Sequence, residues 1–234
     1  MNMNIRYAFV LCTLSACGSG EGEVRVTAYG ESYIEAGIPV DVMTDGWSVT
    51  FDHFTVSLDD IMVGGLSVPA KTVDLTEPSN GQGQELGRIQ LPEDIYTDSR
   101  YSIVRIEVAG SASKEGVTKQ FEWTFDEGTA YTDCEANTMV TDGGTSEFQI
   151  TVHADHLFFD SIVSNEPQIL FQPLADTDTN QDDIVSSEEL GATDIGAYDP
   201  GNESIDDLWS WLMALHRTVG HVDGEGHCDA KTIP

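Results

Sequence analysis

The chain reads as a mainly β protein, an antiparallel β-sandwich with a small carboxy-terminal α-rich segment, and three observations predict that class. Apolar and polar residues alternate with period two over much of the stretch from Glu23 to about Asp160, the pattern of strands that bury one face. Turn signals punctuate the alternation: Gly64-Gly65, Ser79-Asn80-Gly81, Asp126-Glu127-Gly128 and Asp142-Gly143-Gly144. No amphipathic helix separates the strands, and short strands joined this way build antiparallel sandwiches or barrels.

Each element follows from its residues. Val24, Val26 and Ala28 alternate with Arg25 and Thr27 to give the first strand. Trp47, Val49 and Phe51 alternate with Ser48, Thr50 and Asp52, and Phe54 to Leu58 continues the alternation. Further strands are expected at 72–75, 87–91, 101–109, 117–125 and 147–153. The composition changes after Asp160. Residues 166–175 predict a short apolar helix whose last turn is disturbed by Pro173. Residues 208–219 predict the strongest helix, because Leu208, Trp211, Leu212 and Leu215 share one face and Asp206-Asp207 sit at the positive end of its dipole. The expected organisation is a signal at 1–16, a tether at 17–22, the sandwich at 23–160 and an α-rich segment at 161–234 packed on it.

Charge excludes whole classes of partner. The 234 residues carry 41 Asp and Glu against 10 Lys and Arg, a formal net charge of −31. Such a surface repels phosphate, which rules out nucleic acid and anionic lipid as electrostatic partners. Hydrophobic residues at 40% still suffice for a core, so the acid does not imply disorder. Between Lys119 and Arg217 there are 21 acidic residues and no basic one. A surface of this kind suits a salty exterior, where screening over about 8–10 Å tolerates the repulsion.

The amino terminus reads as an address. Arg6 precedes an apolar run from Tyr7 to about Leu14 that is too short to span a bilayer. It ends in Leu14-Ser15-Ala16-Cys17, which resembles the lipobox of bacterial lipoproteins. The resemblance implies cleavage before Cys17, lipidation of its sulfur and acylation of the new amino terminus. It also implies anchoring in the cell envelope, with Gly18 pointing to the outer membrane. Cys134 and Cys228 then remain, and in an oxidising compartment an even pair reads most simply as a disulfide closing a loop of about a hundred residues. The alternative is two thiolates serving as soft metal ligands.

Residues 178–190, DTNQDDIVSSEEL, resemble the calcium loop of the EF-hand family. The match implies side-chain ligands from Asp178, Asn180, Asp182 and Glu189, a backbone carbonyl from Ile184, and Ser186 acting directly or through water. Val185 occupies the aliphatic position that pairs two loops in the family. Asp183 departs from the family's Gly at a position that needs positive φ, which costs roughly 1 kcal/mol. A lone loop outside the cytosol implies a permanently filled, structural calcium ion.

Histidines supply a second metal reading. His153 and His156 follow a predicted strand, and the tail from His221 to Asp229 packs His221, His227 and three carboxylates into nine residues. Imidazole with carboxylate suits copper or zinc, although the spacing matches no closed pattern. The segments GWSVTFDHFTVSLDDIMVGG and VDLTEP…GRIQLPEDIYTDSRYSIVRIEVAG, with Leu91, Pro92, Tyr96 and Arg105, resemble bacterial surface β-sandwich lipoproteins. These include prealbumin-like (and Ig-like) domains and the copper-associated MbnP-like group. The chain as a whole is similar to uncharacterised myxobacterial lipoproteins. No nucleophile elbow, HExxH helix, P-loop or dinucleotide fingerprint is present. The leading expectation is a non-enzymatic, lipid-anchored envelope protein with one structural Ca²⁺. The alternatives are a copper or zinc protein using His153, His156, His221 and His227, and a surface adhesion or ligand-binding module.

Overall fold

The computed structural model describes residues 20–233; the expected signal and Cys17 lie outside them. The chain begins with β1 (Glu21–Tyr29), a short helix α1 (Glu31–Ala36), β2 (Ser48–Val63), β3 (Leu66–Val68) and β4 (Lys71–Asp74). It continues with β5 (Gln84–Pro92), β6 (Asp94–Tyr96), β7 (Arg100–Lys114), β8 (Val117–Phe125), β9 (Gly128–Thr132), β10 (Thr138–Val140) and β11 (Thr145–Val152). A 3₁₀ turn at Asp155–Phe158 leads to α2 (Gln172–Ala175), β12 (Ile184–Val185), α3 (Ser187–Gly191), α4 (Leu208–Leu215), β13 (Gly220–Val222) and β14 (Asp229–Ile233).

The fold is mainly β, as the alternation predicts. One sheet has the order β13-β11-β1-β5, and a larger one has the spine β12-β8-β7-β2-β3, with β4 beside β2, β9 beside β7 and β14 beside β9. β6 and β10 form a separate two-stranded ribbon. The inward residues are those the period selects: Val24, Val26 and Ala28 on β1, Phe54, Val56 and Leu58 on β2, and Phe148, Ile150 and Val152 on β11 are all buried in one core. Trp47 and Trp123 join that core.

The alternation around Trp47–Phe51 continues over Phe54–Leu58 in one continuous strand, β2. Register shifts against β7, the first between Phe51 and His53, absorb the break in its alternation. The sandwich is also not wholly antiparallel: β1 runs parallel to β11 from Glu23↔Thr145 to Tyr29↔Thr151.

Helix predictions hold unevenly. In α4, Leu208, Trp211, Leu212 and Leu215 are buried and Asp207 is the cap, its carboxylate accepting from the Ser210 amide at 2.8 Å. The helix expected over 166–175 shrinks to α2. Ile169 bridges Phe159 and the Leu170 amide bonds the Phe158 carbonyl at 2.8 Å, so those residues are already paired in extended form. The Asp45 carboxylate then accepts the Phe171 and Gln172 amides, both at 2.7 Å, and fixes where the helix starts. The carboxy-terminal segment is woven into the sandwich, since β12 pairs with β8, β13 with β11 and β14 with β9.

Candidate metal centre

Four of the six histidines meet at one end of the smaller sheet. β13 lies antiparallel to β11 with His221 directly opposite Thr151, and the His153 amide bonds the Val219 carbonyl at 2.9 Å. The 3₁₀ turn then returns the chain so that His156 stacks on His153, with ring centroids 5.1 Å apart. His221 stands edge-on to both, 4.5 Å from His153 and 5.2 Å from His156. A tight return after β13, with Asp223 and Gly224 at positive φ and Val222 bridged to Gly226, brings His227 to 5.2 Å from His221. The disulfide Cys134–Cys228 fastens that return to the middle of the chain. The expected pairing is thus present, and its cysteines are not thiolate ligands.

The cluster's protonation follows from its surroundings. Burial, then repulsion from His153 and His221, pushes the His156 imidazole down to about 3. Burial, with repulsion from His153 and His227, pushes His221 down to about 4. Both rings are neutral at physiological pH, the form that binds metal. The Nδ1–H of His156 donates to the Thr218 carbonyl at 2.8 Å, which leaves the Nε2 lone pair free. His153 places Nε2 3.2 Å from the Gly224 carbonyl and Nδ1 3.5 Å from the Glu31 carboxylate. Ligand atoms of His153, Asp155 and His156 lie within 4.8 Å of one another. Burial raises the Asp155 carboxyl above its ordinary value.

Two polar atoms here lack a partner among the described residues: Asp155 Oδ1 and His221 Nδ1 are both buried and unbonded. A buried donor or acceptor without a partner costs about 1–3 kcal/mol, so each of these atoms would gain from a ligand. A cavity of about 560 Å³ opens onto His156, His221 and His227, with Phe159, Ile162 and Leu215 on its apolar wall. The other two histidines do not take part. His53 pairs with Ala109 on the larger sheet, and His216 stacks on Phe125 with its nitrogens facing the Met213 and Glu127 carbonyls.

The acidic loop from Asp178 to Glu189 is folded on its own short side chains. Asp178 is buried and its Oδ1 and Oδ2 accept the Asp182 and Asp183 amides at 3.1 and 3.0 Å. Asn180 Oδ1 accepts the Asp182 amide at 2.9 Å, and Asp182 Oδ1 accepts the Ile184 amide at 3.0 Å. Asp183 adopts φ of +64°, the left-handed turn expected at that position. Ser186 caps α3: its hydroxyl accepts the Glu189 amide and donates to Glu189 Oε2. Glu189 Oε1 is buried with no partner among the described residues. The donor set fits a hard cation.

Two features of this loop escaped the sequence. Its aliphatic strand pairs not with a second loop but with the sandwich, Ile184 and Val185 lying against Gln120 and Phe121, and Trp123 Nε1 donates to the Val185 carbonyl at 2.9 Å. Lys119, on β8, places its ammonium 2.5 Å from Asp178 and 2.8 Å from Asp183. It holds the Asp178 carboxyl below its ordinary value.

No protein-family model matches the chain, and no curated protein matches it. A solved structure described as that of a candidate cell adhesion protein from Bacteroides eggerthii is similar at 7% identity with a TM-score of 0.19. That match covers 58% of this chain and 46% of the other, less than half its length.

Proposed function

We propose that this chain is a lipid-anchored, non-enzymatic protein of the cell envelope. In this reading His153, His156 and His221, with His227 at the mouth of the cavity, hold a copper or zinc ion, and the loop from Asp178 to Glu189 holds a structural calcium ion. The observation that carries the first site is the gathering of four imidazoles, of which His221 has a buried, unbonded Nδ1, with Asp155, whose buried Oδ1 is also unbonded, within reach of His153 and His156. Nitrogen ligands of this kind select zinc and copper over calcium and magnesium. The left-handed Asp183 and the orphaned Glu189 Oε1 support the second. An adhesion role has no support beyond the Bacteroides likeness, which carries no weight at a TM-score of 0.19.

Metal analysis of the protein after dialysis against each ion tests both sites. One equivalent of copper or zinc that disappears in His156→Ala and His221→Ala, and one of calcium that disappears in Glu189→Ala, is the expected result. Retention of the transition metal by the doubly substituted protein would overturn the first site, and absence of calcium binding would overturn the second.

A further inference from the structure

We infer that the β6–β10 ribbon is a foot that rests Ile95 and Met139 in the headgroup layer of a neutral phospholipid bilayer. This rests on the lipid-anchor reading of Cys17 and adds to it the face that the protein turns toward the membrane. Ile95 and Met139 are direct cross-strand partners, so their side chains share one face of the ribbon. They are 55% and 59% exposed, while Thr138 and Val140 on the other face of β10 are buried. The Ser146 hydroxyl donates to the Met139 carbonyl and ties the ribbon to β11.

What fixes the occupant is where the chain enters the fold. The Glu93 amide bonds the Gly20 carbonyl at 2.7 Å, and the Gly143 amide bonds the Glu21 carbonyl at 2.8 Å. Gly20 is therefore seated between the residues that flank β6 and β10, with no room for a side chain against Asp142. Cys17 precedes Gly20 by three residues, and three residues span at most about 11 Å. A lipid on Cys17 thus enters its bilayer beside Ile95 and Met139. Glu93, Asp94, Asp98 and Asp142 surround the pair and are exposed. They repel anionic headgroups, so the surface suits a zwitterionic bilayer and contact stays shallow.

The remaining large exposed side chains include Val40 at 58%. Val40 follows Ile38, which bridges Val49 near the start of β2, whereas the ribbon's Tyr96 packs against Gly64 just past the end of β2. Val40 is therefore at the opposite end of a 16-residue strand and serves as an internal control.

The test uses full-length lipidated protein, extracted from membranes and reconstituted into phosphatidylcholine vesicles, with nitroxide labels at Ile95→Cys, Met139→Cys or Val40→Cys. Power-saturation measurements compare collisions with a water-soluble nickel chelate against the same labels on the soluble Cys17→Ser form. The expected result is a several-fold loss of nickel accessibility at 95 and 139, none at 40, and weaker protection when anionic lipid is added. Vesicle-bound protein whose labels at 95 and 139 stay as accessible as in the soluble form overturns the foot and leaves the anchor standing. Failure of the wild type to take up a palmitate analogue and float with vesicles overturns the anchor, and the foot with it.

Discussion

Acidifying the metal-free protein from pH 7 to pH 5 should weaken it steeply, and the histidine cluster sets the size of the effect. An unfolded imidazole titrates near 6.5, whereas folding moves His156 down to about 3 and His221 down to about 4. Between pH 6.5 and about 4 the unfolded chain takes up protons that the fold refuses, so stability falls as pH falls through that window. At pH 5 each such group costs about 2 kcal/mol, from roughly 1.5 units at 1.36 kcal/mol each. His221 is 6% exposed and carries its full share. His156 is less deeply covered and contributes less. Asp155, whose carboxyl burial raises, acts in the opposite sense, because its folded form takes up a proton before the unfolded one does. The net loss is about 2–3 kcal/mol. Urea unfolding with chelator at pH 7, 6 and 5 measures it directly. His221→Leu should flatten the curve by about 1.4 kcal/mol per pH unit, whereas saturating zinc should raise the stability of the wild type without flattening it, since bound metal keeps the folded rings deprotonated while the unfolded chain still takes up protons. Stability that is unchanged from pH 7 to 5, or a slope that His221→Leu leaves undiminished, would refute the view that these rings are buried neutral.

The same structure makes further predictions. Lys119→Met frees Asp178 and Asp183, so calcium should bind several-fold more tightly by isothermal titration while the calcium-free protein melts at a lower temperature. Glu189→Ala removes both a proposed calcium ligand and half of the capping box; melting scans with chelator should still show a loss of about 1 kcal/mol. Opening the disulfide with Cys134→Ser and Cys228→Ser releases a crosslink across 94 residues, and denaturant titration should show a loss of about 4 kcal/mol. Gly220→Ala drives a methyl group into the Tyr131 and Tyr101 rings, so equilibrium unfolding should show a loss of about 1–3 kcal/mol.

The periodicity of Val24–Ala28, Phe54–Leu58 and Leu208–Leu215 made their elements legible because each has one buried face and a local pattern. β3, β6, β9, β10, β13 and β14 were missed because three to five residues repeat the alternation at most twice, too few times to stand out. The parallel pairing of β1 with β11 was equally hidden, since alternation says which face is buried and nothing about direction. At the sites, the acidic loop could be picked out because the residues of its proposed calcium site lie within twelve positions. The histidine cluster could be named but not assembled: His153 and His221 are 68 positions apart in the sequence and meet only through β11–β13 pairing. Glu31, held at φ of +54° beside His153, was missed for the same reason, as was Lys119 in the acidic loop.

The parallel run of β1 and β11 has a consequence for where metal exchange can take place. Both strands start at the end of the molecule that holds Gly20 and both finish at the rim that carries Glu31 and His153. The nine residues of β1 make that rise about 26–30 Å. This is roughly three Debye lengths at physiological salt, so fixed charge at the Gly20 end hardly reaches the histidines. With the proposed anchor at one end and the imidazoles at the other, β1 would work as a ruler. It would present the proposed metal to solutes and carriers in the aqueous space and keep it beyond reach of groups embedded in the bilayer.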